Sequence, residues 1–241
     1  MNPNPPTTAD EADRLARLRE LVILDSAPEP VFDSIARMAS EICGVPIALI
    51  SLIDLERQWF KANVGLPGVN ETPRDVAFCD YAIRSDAVLE VPDARADARF
   101  AANPLVMGAP DIRFYAGAPL ILPGGQRVGT LCVIDRQTHH LSATQIAMLR
   151  SLAAIVTEAL IMRRDLIERT LVVRAEPERA VRQLTAIIDN TTDFVSQTDS
   201  RGNIVYLNPA ARRSAGIALD APLNESWYAQ FNPPQTLQLY Y

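Results

Sequence analysis

The segment at residues 45–53, VPIALISLI, constrains the fold more than any other stretch of the chain. Its apolar side chains occupy both alternating faces of an extended strand, and such a strand has to be covered on both sides. This predicts a central strand of a sheet with a further layer on each face. RQWFKANVG follows after a short polar turn, and we expect it to pair with the first strand as a hairpin.

Residues 112–135, IRFYAGAPLILPGGQRVGTLCVID, predict a second hairpin. Gly124 and Gly125 separate its two apolar runs, without the Lys-Ser/Thr of a phosphate loop or the spacing of a dinucleotide fingerprint. The glycine pair therefore indicates a turn. Cys132 lies inside the second run, where a cysteine is more often a small buried apolar residue than a nucleophile.

Helices flank the predicted sheet on both sides in the sequence. Thr8 and Glu11 have the spacing of a capping box ahead of an amphipathic helix. Ser142 and Gln145 have the same spacing and begin a longer helix, whose apolar stripe narrows to a thin seam. Such a seam is typical of a coiled-coil exit rather than of a core helix. Pro177 stands where a new helix would start.

Composition excludes several classes of protein. The net charge of −6 argues against nucleic acid or an anionic membrane surface as a partner. No apolar run reaches the length of a membrane span, and the N-terminus lacks a signal-peptide pattern, so we expect a cytoplasmic protein. The three cysteines, Cys43, Cys79 and Cys132, are too few and too widely spaced for a disulfide framework or a zinc site. We expect no metal site.

Groups suited to catalysis are scarce. His139 and His140 are adjacent, and no Ser-His-Asp arrangement, carboxylate pair or phosphate loop can be assembled from the sequence. Cys79, outside the predicted strands, is the better thiol candidate, although packing is the more common role. Asp75 and Asp80 lie nearby and would raise the pKa of its thiol. We therefore expect the chain not to be an enzyme.

The irregular stretch at residues 95–111 allows two interpretations. Asp97, Arg99 and Asn103 can form ion pairs and turn caps that hold a long loop in place. Alternatively, the loop is a lid that points Arg99 and Asn103 into a cavity, because irregular loops of this length are often functional. ETPRD, at residues 71–75, and the pair Trp59 and Phe60 could supply further cavity walls, although an aromatic pair on a hairpin is more often core.

The pattern of residues changes near residue 183, where a long helical pattern gives way to short segments. DFVSQTDSRGNIVYLNPAARRSAG predicts a strand, a turn built on Gly202 and Asn203, a second strand and a helix of small residues. A second module therefore begins here. It is short for an independently stable domain, and no stop signal follows it, so we expect the sequence to belong to a longer protein.

Several motifs occur in order along the first two thirds of the chain. They are LRELVILDSAPEPVFDSIARMASEICGVPIALISLIDLERQWFKANVGL, ETPRDVAFCDYAI, VPDARADARFAANPLV and IRFYAGAPLILPGGQRVGTLCVID. Together they resemble a GAF domain of the type found in bacterial sensor histidine kinases and diguanylate cyclases. LTAIIDNTTDFVSQTDSRGNIVYLNPAARRSAGI resembles the opening of a PAS domain. The resemblances predict a disordered tail at 1–11, a GAF domain at 12–168, a helical linker at 169–182 and the N-terminal portion of a PAS domain at 183–241.

The GAF resemblance implies an α/β (α+β) fold with a central antiparallel sheet of about six strands. N- and C-terminal helices would cover one face, and ligand-binding loops the other. The residues expected at the cavity are Trp59, Phe60, Phe78, Cys79, Asp97, Arg99, Phe100, Asn103, Arg113 and Tyr115. GAF domains commonly dimerise through their terminal helices, and the residues expected on this dimer and signalling helix are Leu149, Val156, Leu160, Leu166 and Val173.

The resemblance narrows the ligand without identifying it. GAF domains that carry a covalent bilin usually attach it to a cysteine followed by histidine, whereas Cys79 is followed by Asp80. The N-K-F-D-E pattern of cyclic-nucleotide GAF domains is absent. A covalent bilin and a cyclic nucleotide are therefore disfavoured, and the identity of a small-molecule ligand stays unknown.

Three hypotheses about function follow from these patterns. The first is a GAF–PAS input module of a bacterial signal-transduction protein, such as a two-component system. It would bind a small molecule, form a homodimer and pass a signal through its C-terminal helix to an output domain outside this sequence. The second is a thiol enzyme of the free methionine sulfoxide reductase kind, although the surroundings of Cys79 and Cys132 do not look like the cysteine motifs of that subgroup. The third is a structural dimerisation module without a ligand.

Overall fold

A computed structural model describes residues 8–201 and 203–223, apart from the side chains of Thr8 and residues 172–178. The chain divides into two units, one ending at Glu168 and the other beginning at Arg169. The first unit contains a six-stranded sheet, and the second contains a two-stranded sheet.

The sheet of the first unit is antiparallel throughout, in the order β3-β2-β1-β6-β5-β4. Its strands are β1 (Ile47–Ile53), β2 (Arg57–Val64), β3 (Glu71–Pro73), β4 (Leu89–Val91), β5 (Phe114–Ile121) and β6 (Arg127–Asp135). All seven residues of β1 are buried, with β2 on one side and β6 on the other. The predicted central strand, both hairpins and the six-stranded α+β fold are confirmed.

Alternate residues of β1 belong to two separate cores. Ala48, Ile50 and Leu52 pack in the cluster on the helical face of the sheet. Leu49 and Ile53 pack in the cluster on the other face. This alternation follows from the pleat of a strand, in which successive side chains point to opposite faces. The central strand is thus a wall shared by both cores.

Three helices supply the layer on one face, namely α1 (Thr8–Glu20), α2 (Pro30–Cys43) and the first half of α5 (Ala143–Asn190). The capping box predicted for α5 is present. The backbone N–H of Gln145 donates to Ser142 Oγ at 3.2 Å, and the backbone N–H of Ser142 donates to Gln145 Oε1 at 2.9 Å. The opposite face carries the short helices α3 (Phe78–Ala82) and α4 (Pro104–Met107) together with the loops around them.

The helix α5 departs from the sequence prediction at Pro177. It continues without interruption for 48 residues, and no new helix starts at this proline. A proline inside a helix removes one backbone hydrogen bond and costs about 3 kcal/mol. Good helix formers on both sides of residue 177 maintain the helical backbone through it.

The N-terminal tail predicted over residues 1–11 does not extend to residue 8, where α1 begins. Glu11 is held in place by two guanidinium groups, with its Oε1 2.7 Å from Arg14 Nη2 and 2.6 Å from Arg74 Nη1. The second contact ties α1 to the turn that follows β3. Residues 1–7 lie outside the described residues.

The second unit has the predicted order of strand, turn, strand and helix. β7 (Ser196–Thr198) pairs antiparallel with β8 (Ile204–Leu207), and α6 (Pro209–Ser214) follows. Asn208 caps α6, because its Oδ1 accepts from the backbone N–H of Ala211 at 2.9 Å. The remainder of the predicted PAS portion, residues 224–241, lies outside the described residues.

Among the described residues, one stretch, Ala143–Leu171, is long and apolar enough to cross a membrane by length and composition. Counting only uninterrupted apolar runs in the sequence had not revealed it. Leu149, Val156 and Leu160 within this stretch are fully buried against the sheet of the first unit. About a third of its most apolar window is buried, so packing accounts for part of the apolar composition, and a single stretch of this kind is weak evidence for a membrane span.

Replacing Glu11 with Gln should destabilise the first unit by on the order of 2 kcal/mol at pH 7. Burial raises the pKa of this carboxyl, but hydrogen bonds from Arg14 and Arg74 outweigh burial and bring the pKa from 4.5 to about 2. Because the folded-state pKa is depressed, the stabilisation is present above pH 4.5 and is lost as the pH falls towards 2. Urea unfolding of the wild type and E11Q across this range measures the effect.

The exposed carboxylate of Glu20, which pairs with Arg17 on the surface of α1, offers a matched control. We expect E20Q to change the free energy of unfolding by less than about 0.5 kcal/mol at any pH. A difference between the wild type and E11Q that stays constant from pH 7 to pH 2 would contradict the assignment.

Candidate functional site

The sheet face opposite the long helices carries a cavity of about 350 Å³. Its floor is made by inward-facing residues of five strands, among them Leu49, Phe60 and Ile134. Its walls come from the loops and short helices that cover this face, including Leu66 and Leu105. The cavity is therefore apolar over most of its surface and lies where the sequence predicted a ligand site.

Four of the ten residues predicted at the cavity line it, namely Phe60, Phe78, Cys79 and Tyr115. Phe100 lies behind the wall, with its ring stacked on that of Phe78 at a centroid distance of 4.0 Å. These aromatic rings fix the position of α3 over the sheet.

Trp59 and Arg113 lie away from the cavity. Trp59 packs in the core beneath the helices, because it neighbours Phe60 on β2 and so points to the opposite face. The guanidinium of Arg113 donates to the backbone carbonyl of Val106 at 2.8 Å and thereby secures the loop that carries α4.

Asp97, Arg99 and Asn103 also lie outside the cavity. Arg99 Nε donates to Asp97 Oδ1 at 2.9 Å. Asn103 Oδ1 accepts from the backbone N–H of Leu105, and its Nδ2 donates to the carbonyl of Val76, both at 2.9 Å. The polar side chains hold the loop in shape, which agrees with the first of the two interpretations. The loop turns apolar side chains towards the cavity instead.

Two residues of the cavity wall, Cys79 and Tyr115, are in contact with each other, and Cys132 lies behind them against Cys79. Cys79 Sγ, at the start of α3, lies 3.7 Å from Cys132 Sγ on β6, and Tyr115 Oη donates to Cys79 Sγ at 3.3 Å. Gly117, opposite Cys132 in the ladder, makes room for this phenol. A Cβ at Gly117 would lie 2.1 Å from Tyr115 Oη.

The titration of the two thiols is set by their shared environment. Burial raises the pKa of Cys79, but donors on Cys132, Ser51, Thr130 and Tyr115 outweigh burial and lower the pKa to about 7. The hydrogen bond to Cys79, followed by burial, raises the pKa of Cys132 well above its usual range. Cys79 is therefore the thiol that loses its proton first.

The sequence predicted the opposite direction for the pKa of Cys79, from the nearby carboxylates Asp75 and Asp80. In the structure the carboxylate of Asp80 is neutralised by Arg74 at 2.7 Å and by Arg84 at 2.6 Å. The donors that lower the pKa of Cys79 come from strands distant in sequence, which inspection of neighbouring residues does not reveal.

Two polar residues face the cavity from adjacent strands; Thr72 lies in the stretch 71–75 that the sequence offered as a cavity wall, whereas Gln58 was not predicted. Gln58 on β2 and Thr72 on β3 are direct partners in the ladder. Gln58 Oε1 and Thr72 Oγ1 are buried and have no hydrogen-bond partner in the part of the chain that the structure describes. The other lining residues that the sequence analysis did not name are Leu49, Leu66, Val69, Ala77, Leu105, Ala109, Pro110, Ile112, Ile134 and Arg136. Gln58 lies two residues before Phe60 on β2 and therefore points to the same face, so the sequence could have placed it at the cavity.

A second depression, of about 440 Å³, lies beside α1 and the turn between β5 and β6. It is larger than the first but polar. Charged side chains that line it form ion pairs with one another, such as Glu11 with Arg74. Gly124 and Gly125 border it and form the predicted turn, with Gly125 at φ 86°. The geometry here supports structural ion pairing rather than ligand binding.

The residues predicted on the dimer helix fall into two groups. Leu149, Val156 and Leu160 are buried in the first unit's own core, so they cannot form a contact between chains. Leu166 is 67% exposed. The side chain of Val173 lies outside the described residues. Three of the five residues predicted for the dimer therefore lie on the face of α5 that packs on the sheet.

The sequence and the geometry agree with one family. The model of the GAF domain matches residues 27–160, which is more than half of the chain. The chain belongs to the GAF domain family. A model of the PAS fold matches residues 182–240, so a PAS module follows the GAF domain. Both resemblances stated from the sequence are confirmed.

The GAF–PAS chain is similar to a curated protein and to solved structures. It is 46% identical, over 153 residues, to the cyclic di-GMP phosphodiesterase PA2567 of Pseudomonas aeruginosa, covering 63% of this chain and 26% of that protein. The chain thus spans about a quarter of the length of this relative. A GAF domain from an Acinetobacter phosphoenolpyruvate-protein phosphotransferase is 19% identical, with a TM-score of 0.48, and covers 63% of this chain and 93% of that one. A domain of a two-component sensor histidine kinase from Sinorhizobium meliloti is 17% identical, with a TM-score of 0.46, and covers 60% and 99%.

Replacing Tyr115 with Phe should raise the pKa of Cys79 from about 7 by roughly one pH unit, because one donor to the sulfur is lost. Ultraviolet absorbance of the thiolate as a function of pH measures the change. Cys43 does not interfere, because burial raises its pKa to about 11. Y81F is the matched control, since the ring of Tyr81 contacts Phe100 and Arg84. An unchanged titration in Y115F would contradict the assignment.

Proposed function

We propose that this chain is the sensory input region of a bacterial signalling protein, in which the GAF cavity binds a small molecule and α5 carries the response. GAF and PAS domains are regulatory modules, and their succession here supports the input role. The observation that carries the proposal is the cavity itself. At about 350 Å³, with mostly apolar walls and a few buried polar atoms, it falls in the size range of ligand pockets, roughly 300–1,000 Å³.

The sheet supports a direct route from the cavity to α5. Phe60 on β2 lines the cavity, and the next residue, Lys61, occupies a bulge against β1. The ammonium of Lys61 is 2.7 Å from Glu29 Oε1, and the same oxygen is 2.7 Å from Nε of Arg163 on α5. A shift of β2 on ligand binding would therefore act on α5 through one carboxylate.

Such a route supports signalling by population shift. A ligand that prefers one arrangement of the cavity loops biases the packing on the other face of the sheet by its difference in affinity. Arg163 lies near the end of the first unit, shortly before the helix continues into the second. A change in its pairing would alter the direction or register of the exit helix.

Dimerisation is proposed through a face of α5 other than the one predicted from the sequence. Met148, Ile155 and Met162 recur every seven residues and are 45%, 52% and 69% exposed. An apolar seven-residue repeat on an exposed helix is typical of a helix–helix seam. We propose a parallel homodimer along this seam, which would place the two exit helices side by side.

The relative from Pseudomonas aeruginosa bears on the output. Its name assigns it a cyclic di-GMP phosphodiesterase activity, and this chain matches about a quarter of it. We propose that the module regulates cyclic di-GMP turnover in a longer protein, in preference to the histidine kinase suggested by the sequence. Location in the cytoplasm and the lack of a nucleic-acid partner stay predictions.

A second candidate function is thiol chemistry, favoured by the contact between Cys79 and Cys132 and by the lowered pKa of Cys79. Free methionine sulfoxide is a zwitterion, and its ammonium group would need a carboxylate partner. The described lining residues include Arg136 at the mouth and no Asp or Glu. The cavity therefore suits a sensor better than a reductase. Reductant-dependent turnover of free methionine sulfoxide by the chain would reverse this order.

Ala77→Phe should block the cavity, because Ala77 lines it and is almost completely buried. We expect native mass spectrometry to find a co-purified small molecule on the wild-type chain and none on A77F. Overpacking costs about 1–3 kcal/mol, so circular dichroism checks that the variant is folded. If the folded wild type and folded A77F each show only the mass of the bare chain, without adduct, the result would support a structural module without a ligand.

Ile155→Glu and Met162→Glu should together convert a dimer into a monomer at micromolar concentration, because two charges would be placed in the seam. Light scattering on the 241-residue chain measures the mass. Ala154→Glu, at an exposed position flanking the seam, is the matched control and should leave the dimer intact. A wild-type chain that is monomeric under these conditions would contradict the proposed seam.

A further inference from the structure

We propose that the GAF cavity is specific for a small, neutral, largely aromatic molecule that presents one N–H or O–H group to Gln58 and Thr72. The inference rests on the proposed function, in which the cavity takes a ligand, and it names the chemical class of that ligand.

The two polar atoms are exceptional within the described chain. Gln58 is only 6% exposed. Among the described residues, the buried side-chain polar atoms without a hydrogen-bond partner are Gln58 Oε1 and Thr72 Oγ1. Nearly all buried polar atoms in folded proteins have a partner, and leaving one without costs about 1–3 kcal/mol. Both exceptions line the same cavity.

The ladder places the two side chains together. Gln58 on β2 is directly opposite Thr72 on β3, and opposite residues point to the same face with Cβ atoms roughly 4.5–5.5 Å apart. The oxygen of Gln58 accepts hydrogen bonds, whereas the hydroxyl of Thr72 can both accept and donate. One donor group of a ligand at this corner would satisfy the glutamine oxygen and could also engage the hydroxyl.

The rest of the cavity requires an apolar molecule. The rings of Phe60, Phe78 and Tyr115 line it, and Phe60 stands two residues from Gln58 on the same face of β2. An aromatic ligand stacks favourably on such rings, with a gain of about 0.5–1.5 kcal/mol beyond burial of area. A volume of about 350 Å³ is near the lower end for ligand pockets, which favours a molecule of one or two rings.

The charges around the cavity favour a neutral ligand. The described lining residues contain no carboxylate, their one cationic group is Arg136, and the thiol of Cys79, with its pKa lowered to about 7, adds partial negative charge that disfavours an anion. Arg136 is exposed at the mouth, where its Nε donates to the carbonyl of Pro110 at 3.0 Å. A guanidinium that stays in water and is already engaged gives little preference for an anion.

Indole and benzothiophene are the probes that test the inference. They share a two-ring shape, but only indole has an N–H donor. Isothermal titration calorimetry with the 241-residue chain should show indole binding about 10-fold more tightly than benzothiophene. Indole-3-carboxylate should bind no more tightly than indole, because the cavity offers its charge no buried partner.

Gln58→Met and Thr72→Val remove the polar atoms at nearly constant volume. In the double variant the ratio of the two affinities should fall to about one, while benzothiophene keeps its affinity. The ligand-free double variant should also melt at a higher temperature than the wild type, because two unpartnered polar groups leave a buried position. Gln137→Met, at an exposed position after β6, is the matched control and should retain the 10-fold preference.

The outcomes separate this inference from the proposed function. Equal binding of both probes to the wild type would overturn the ligand class and leave the cavity as a ligand site. Tighter binding of indole-3-carboxylate would overturn the neutral character. Binding of either probe that persists in folded A77F would place the probe outside the cavity and overturn the inference. Failure of indole to bind the wild type would overturn it too, whereas the proposed function is decided by the molecule that co-purifies.

Discussion

The burial of β1 on both faces is the constraint on which the rest of the first unit depends. Its backbone is paired with β2 and β6, so its side chains have to be covered from above and below. The long helices cover one face, and the chain between β2 and β5 covers the other. The second cover is made of short helices and loops. The cavity is the space that remains beneath it.

This arrangement gives the cavity and the helices a common wall. Ser51 on β1 and Thr130 on β6 are cross-strand partners whose hydroxyls lie 3.3 Å apart and reach towards Cys79. On the same two strands, the alternate residues pack under α5. Displacement of a strand by a ligand therefore cannot be confined to one core, because each strand is shared. The carboxylate between Lys61 and Arg163 adds a polar connection to this mechanical one.

The sequence predicted the strands well because their signal is local. Residues 45–53 and 112–135 carry runs and turns that admit few alternatives, and the cap of α5 follows from a spacing of three residues. The cap predicted at Thr8 and Glu11 stays a prediction, because the side chain of Thr8 lies outside the described residues. The cavity was predicted less well, because its lining comes from positions that only the tertiary fold brings together, such as Leu66 and Leu105. The sequence placed Arg99 and Asn103 at the cavity because they are polar, yet polar side chains on a loop more often stabilise the loop itself, as these two do. Trp59 was chosen as an aromatic residue, although strand parity places it on the opposite face from Phe60.

The polar groups in the interior show why Gln58 and Thr72 bear on function. The other buried polar side chains are satisfied: Arg14 donates to the carbonyl of Ile53 at 2.6 Å, Thr157 to that of Ala153 at 3.1 Å, and Lys61 makes three contacts. Elsewhere in the described interior, buried polar side chains have hydrogen-bond partners. Buried polar groups that lack a partner are therefore expected mainly at functional sites. The two exceptions are adjacent, belong to neighbouring strands and open into one cavity. Their position is better explained by recognition of a ligand than by a packing fault, since an apolar pair would stabilise the same two strands more.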